Sequence, residues 1–285
     1  MNKPVAKRRA WTFRHLTASL VLVGLGVVVT ADIWADLGHI ALRDEESSHV
    51  WLVPIVAGWL VWFRRERLRD CPQRHTWIGP TVIAAGWLLS TVGYGHAIQS
   101  FWHGGAVLVV AGCFLTVAGG AVLWRFLPAF AVLVFLVPVP GMARQRIAIP
   151  LQSASAQLAQ AAFDIIGLDV TRTGNVLSIN GVDVAVAEAC NGMRMVFALI
   201  LVSYAFAFGT RMPSAARLLI IVASPLAAVV CNVIRLIPTV WLYGNYTESV
   251  AVMFHDISGW AMLPIAFLLL LGITQLARWV VAPTT

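Results

Sequence analysis

Cys190, Arg235 and His255 are the side chains of this sequence whose types and surroundings fit nucleophilic acyl transfer. Cys190 stands in the run Glu188-Ala189-Cys190-Asn191-Gly192-Met193-Arg194, which leads into an apolar stretch ending near Phe208. That places the thiol at the first turn of a helix, where unpaired amides and the positive end of the helix dipole favour a thiolate. Arg194, four residues on, adds positive charge to the same face. Arg235 lies in a second apolar stretch, one turn after Asn232. Arginine does not shed its charge, so it either snorkels to the surface or finds an anion. His255 and Asp256 stand just before a last apolar stretch, where Asp256 is placed to cap a helix. Brought to one level, the thiolate would attack a carbonyl, the imidazole would protonate the leaving amine, and the guanidinium would stabilise the oxyanion. Cys113 and Cys231 sit among apolar residues and read as small buried hydrophobes, and Cys71 falls in a basic loop.

The elements that carry these residues belong in a membrane. Of 285 residues, 59% are hydrophobic and 12% charged, with a mean hydropathy of +0.81, whereas a globular domain carries about 25% charge. This excludes a soluble enzyme. Apolar runs without strand-like alternation must cross as helices that satisfy their own backbone. Eight spans are expected, at 16–35, 48–63, 77–95, 102–123, 126–142, 190–208, 217–240 and 257–280. The basic start followed by a long apolar run reads as a retained first helix, not a cleaved signal.

The charge of +7 and pI near 9.8 do not indicate nucleic acid, because no basic soluble face exists to bind it. Instead the basic residues gather between spans. Lys3, Lys7, Arg8, Arg9, Arg14, Arg64, Arg65, Arg67, Arg69, Arg74, Arg125, Arg211, Arg217 and Arg278 fall on one side if the N-terminus is inside, while most carboxylates fall on the other. The positive-inside rule then expects both termini in the cytoplasm, and the outer ends of the last three spans present Cys190, Arg235 and His255 at one depth.

One inter-span segment, 143–189, is too long for a turn and too polar for a span. Its first half carries Ile147, Leu151, Leu158, Ala162 and Ile165 or Ile166 at helical spacing, which predicts an amphipathic helix in the interface. Its second half changes period. Thr173-Gly174-Asn175 and Asn180-Gly181 punctuate β-branched runs, predicting a small β-hairpin or meander on the outer mouth of an otherwise all-α bundle. With no internal repeat, one domain over 1–285 is the simplest organisation.

At these residues the sequence resembles the exosortases, within the exosortase/archaeosortase group of membrane cysteine transpeptidases. The resemblance runs from about 36 to 270. It is carried by Asp44-Glu45-Glu46-Ser47-Ser48-His49 before Leu52-Val53-Pro54, by Phe135 to Pro140, by Pro150-Leu151-Gln152, by Val186 to Arg194, by Asn232 to Arg235, and by His255-Asp256-Ile257-Ser258-Gly259. It implies that Cys190 is the nucleophile, Arg235 the stabilising cation and His255 the proton donor, with Glu188, Arg194, Asn232 and Asp256 as auxiliaries. It also implies exported protein substrates with a C-terminal tail of three parts: a short motif such as Pro-Glu-Pro, a hydrophobic span and a basic end. That tail would be cut at the outer face of a bacterial inner membrane and passed to an acceptor of unknown kind. His49, Glu46 and Arg144 are candidates for the substrate mouth, with helix capping the competing role for the first two.

No cofactor is implied, and no residue set has metal-ligand spacing. Two other functions fit an intramembrane arginine with polar neighbours: a transporter path, or a non-catalytic scaffold of a polysaccharide or secretion assembly. Against the first, no inverted repeat or pair of broken helices is evident.

Overall fold

The computed structural model describes residues 12–71, 76–186 and 192–281, which form two compact units, 1–140 and 141–285. Helices α1 (Phe13–Val29), α2 (Ala31–Arg43), α3 (Leu52–Phe63), α4 (Ile78–Gly95), α5 (Gln99–Ala118), α6 (Gly120–Arg125) and α7 (Leu127–Ala131) make up the first. The second holds α8 (Gly141–Ile166), strands β1 (Val170–Thr173), β2 (Val176–Ile179) and β3 (Val182–Ala185), then α9 (Gly192–Gly209), α10 (Ser214–Asn245) and α11 (Glu248–Val281). Among the described residues, α5 and α10 are long and apolar enough to cross a membrane alone; up to four crossings result if each of two bent helix pairs is one span.

In the first unit α5 is the hub, touching α1, α2, α4 and α6. Its contact with α4 rests on glycine. Gly79, Gly86 and Gly93 recur every seven residues on α4; Gly86 meets Gly105 of α5, Gly79 meets Thr116 and Gly112, and Gly93 meets the backbone at Phe101 and Trp102. A Cβ at Gly86 would sit 2.7 Å from the Gly105 carbonyl, and one at Gly105 2.5 Å from the Ser90 amide, so the two backbones touch directly. Lipid supplies no hydrophobic drive for helix association, and such close approach is what holds the pair. Ser90 Oγ adds a bond to the Trp102 carbonyl at 3.2 Å.

The expected first span is broken. It bends by 76° at Thr30, between α1 and α2. There Thr30 Oγ1 donates to the Gly26 carbonyl at 2.7 Å and accepts from Trp34 Nε1 at 2.9 Å, which satisfies groups that the break exposes. The fourth expected span also stops early, at Gly119, whose φ of +83° ends α5. Helix α2 is anchored to α5 by Asp36 Oδ2, 3.0 Å from Nε2 of the fully buried His103, while His103 Nδ1 faces the Gln99 carbonyl at 2.7 Å.

In the second unit the strands form an antiparallel meander in the order β1-β2-β3. Gly174 (φ +63°) opens the first two-residue turn, and Asn180 (φ +52°) with Gly181 (φ +78°) makes the second, the primed-turn chemistry that matches strand twist. The inner face, Val170, Leu177, Ile179 and Val184, packs on Ala156, Ala159 and Phe163 of α8 and on Leu236 and Val240 of α10. Asn180 Nδ2 ties the second turn to the Gly244 carbonyl at 3.1 Å. Helix α8 spans the segment where an amphipathic helix was expected, and its packed face is Ser155, Ala156, Ala159 and Phe163. Ile147, Leu158, Ile165 and Ile166 remain exposed. A second cluster joins Met195, Val196 and Leu199 of α9 to Ile220, Ala227, Ala228 and Cys231 of α10 and Met262 of α11.

Helices α10 and α11 both outrun the apolar stretches from which their spans were read. Intrahelical bonds do not require apolar side chains, so α10 continues past 240 to Asn245 and α11 begins early enough to include His255 and Asp256.

Candidate active site

Asn232 and Arg235 occupy the stretch of α10 between its two apolar clusters, with Cys231 in one and Leu236 in the other. Both are buried, Arg235 at 6% exposure and Asn232 at 2%. The snorkelling alternative for Arg235 is thereby removed. Its guanidinium turns instead to α11, where Nε donates to Ser258 Oγ at 3.1 Å and Nη2 donates to the His255 carbonyl at 2.9 Å. Ser258 Oγ in turn donates to the same carbonyl at 3.0 Å. The position is shaped by Gly259: a Cβ there would lie 3.2 Å from Nη2.

These partners are all neutral. No carboxylate pairs with Arg235 among the described residues. A guanidinium has five N–H donors, and two are used among the described residues. A buried cation with unspent donors is set up to receive an anion, and Coulomb attraction in such a place is several-fold stronger than in water.

The imidazole of His255 is one-fifth exposed, and its Nδ1 lies 3.1 Å from Asp256 Oδ1. A carboxylate accepts, so Nδ1 donates in this contact, which leaves Nε2 for proton exchange. Asp256 does not cap a helix. It lies well inside α11, which begins at Glu248, and its carboxylate contacts the His255 imidazole instead.

Asn232 Nδ2 donates to Ser155 Oγ of α8 at 3.2 Å, while Asn232 Oδ1 is buried with no hydrogen-bond partner among the described residues. A buried amide oxygen left unbonded destabilises by about 1–3 kcal/mol, so it marks a place where a donor is expected to arrive. Arg144 is half-buried in the first turns of α8. His49, half-buried, belongs to the 3-10 segment Glu45–Trp51 of the first unit. Cys190 and Glu188 lie outside the described residues. So do the side chains of Arg194, on α9, and Glu46.

The structure thus joins Arg235 to residue 255 through the backbone carbonyl, and adds three residues to which the sequence assigned no role. Ser258 and Gly259 stand three and four positions after His255, the spacing that puts side chains on one helix face. Ser155 carries no such signal, because its partner Asn232 is 77 residues away.

The family model of the transmembrane exosortases matches residues 34–272, most of the chain. The chain belongs to the transmembrane exosortase family. Neither a curated protein nor a solved structure matches it. Family membership and the apolar helices together make it an integral membrane protein, and exosortases as a family are generally considered cysteine transpeptidases. The matched region contains every segment described above except α1, the first residues of α2 and the end of α11.

Proposed function

We propose that this chain is a membrane cysteine protease and transpeptidase that removes the C-terminal sorting tail of exported proteins at the outer face of the bacterial inner membrane. The observation that carries the reading is the buried Arg235 guanidinium, held by α11 through neutral oxygens with donors to spare. Cys190 is the nucleophile, Arg235 stabilises thiolate and oxyanion, and His255 moves the proton. Glu188, Arg194, Asn232 and Asp256 assist, the last by fixing the His255 tautomer.

The chemistry balances without a cofactor. The Cys190 thiol gives its proton to His255 as Sγ bonds the scissile carbonyl carbon, Arg235 holds the oxyanion, and collapse breaks the C–N bond as His255 passes that proton to the departing amine. An acceptor amine, or water, then attacks the thioester, returns a proton to His255 and releases the thiolate. The unpaired Asn232 Oδ1 accepts an N–H of the bound peptide. The reading includes eight spans, both termini in the cytoplasm, the 143–189 insertion facing out, and His49, Glu46 and Arg144 at the substrate mouth. Substrates carry the three-part tail, whose hydrophobic span lies in lipid beside the bundle while its basic end stays inside.

The test is intact mass of a tripartite-tailed protein from the same genome, in cells with the wild type or Cys190→Ala. Loss of processing on substitution supports a Cys-dependent enzyme, and added mass on the mature C-terminus identifies transfer in place of hydrolysis. Unchanged processing would overturn the reading and favour a transporter or scaffold.

A further inference from the structure

Two adjoining cavities on the first unit have the polarity of a lipid. One, of about 330 Å³, lies between the α1–α2 bend, α4 and α5 and holds Asp32 with three aromatic rings, Trp87, Tyr94 and Trp102. The other is an apolar groove along α4 lined by Pro80, Ile83, Ala84, Trp87, Leu88 and Thr91. Trp87 and Thr91 line both, so the polar cavity opens into the apolar one.

The polar cavity offers acceptors. Its three aliphatic hydroxyls have each spent their hydrogen on a backbone carbonyl: Thr30 on Gly26 at 2.7 Å, Ser90 on Trp102 at 3.2 Å and Thr91 on Trp87 at 2.8 Å. Only oxygen lone pairs remain on them. The Asp32 carboxylate has no ion-pair or hydrogen-bond partner among the described residues. Tyr94 and Trp102 stand 6.1 Å apart between ring centroids and tilted by 50°, so the rings form a corner. Carboxylate, aromatic faces and hydroxyl lone pairs together suit an organic ammonium, and a single carboxylate does not suit a metal ion.

We infer that these cavities bind a membrane lipid whose headgroup ends in an ammonium, with the headgroup against Asp32 and the rings and an acyl chain along α4. The groove argues for a lipid over a free amine. From Thr91 to Pro80 it covers 11 residues, about 16 Å at helical rise, close to the roughly 15 Å of hydrocarbon in one leaflet. Its rim is apolar and open, with Trp87 56% and Leu88 66% exposed. Tyr94 at the α4 end and the two tryptophans match the amphipathic rings that sit at headgroup level.

The experiment is native mass spectrometry of the full-length protein in detergent, titrated with phosphatidylethanolamine or phosphatidylglycerol of the same chains. Phosphatidylethanolamine should bind about fivefold to thirtyfold more tightly, and Asp32→Asn should bring the ratio near one. Ala84→Trp, which fills the groove, should weaken both lipids while leaving the headgroup preference. Should Asp32→Asn lose its thermal transition, Trp87→Leu tests the same preference by removing one ring face. Equal binding of the two lipids, or an unchanged preference in a folded Asp32→Asn, overturns the inference. Displacement by millimolar phosphoethanolamine would reassign the site to a free amine, and displacement by a basic tail peptide would reassign it to protein; either outcome overturns the lipid.

Discussion

Gly259→Ala separates the folding role of α11 from its role in holding Arg235. In a helix interior, alanine is more favourable than glycine by about 1 kcal/mol, so on backbone grounds the variant should be as stable as wild type or more so. The new methyl, however, would lie 3.2 Å from Arg235 Nη2, inside ordinary contact distance. The guanidinium must retreat by a few tenths of an ångström. It is held at 2.9 Å to the His255 carbonyl and 3.1 Å to Ser258 Oγ, and that retreat stretches both bonds. Weakening two hydrogen bonds of a charged donor by about 0.5–1 kcal/mol each, in a place where the cation must meet a developing charge, predicts a five- to thirtyfold slower cleavage. The assay is the rate of tail removal by intact mass, read beside the thermal midpoint of the purified protein. Slower processing with an unchanged or higher midpoint is the expected result. Full-rate processing in Gly259→Ala would refute the claim that the placement of Arg235 matters to the reaction.

Other perturbations follow from the same contacts. Cys190 should react with a membrane-impermeant thiol reagent below about pH 8, with a rate that falls in Arg235→Ala; ordinary slow labelling in both would sink the thiolate assignment. Ser155→Ala should leave Asn232 Nδ2 unbonded and lower stability by about 1–3 kcal/mol, measured as a shift in the thermal midpoint. Gly105→Val should separate α4 from α5 and destabilise by more than about 3 kcal/mol, because its Cβ would overlap backbone atoms of Ser90 and Gly86; a folded variant with the wild-type midpoint would contradict the packing. Asp36→Ala should destabilise by about 1–3 kcal/mol, whereas Asp36→Asn, which can still bond His103 Nε2 with both groups neutral, should recover most of the loss.

Composition alone settled the membrane class, because so few charged groups leave water no surface to solvate. Local rules reached further still. Asn180-Gly181 can adopt the positive φ of a tight hairpin turn, and that chemistry is independent of the surroundings, so the meander could be read from its turns. Arg235 and His255 were legible as site candidates because charge in an apolar run is rare enough to need a reason. Helix ends were not legible. Polar residues end an apolar stretch without ending its helix, which is why α10 and α11 run past their expected limits and why Asp256 is no cap. The bend at Thr30 needed tertiary structure as well, since α1 and α2 pack separately on α5 and the Asp36–His103 contact forms only across 67 residues of chain. The same holds for the partners of Arg235. Sequence showed that it required company, but only the packing of α10 on α11 selected Ser258 and the His255 carbonyl.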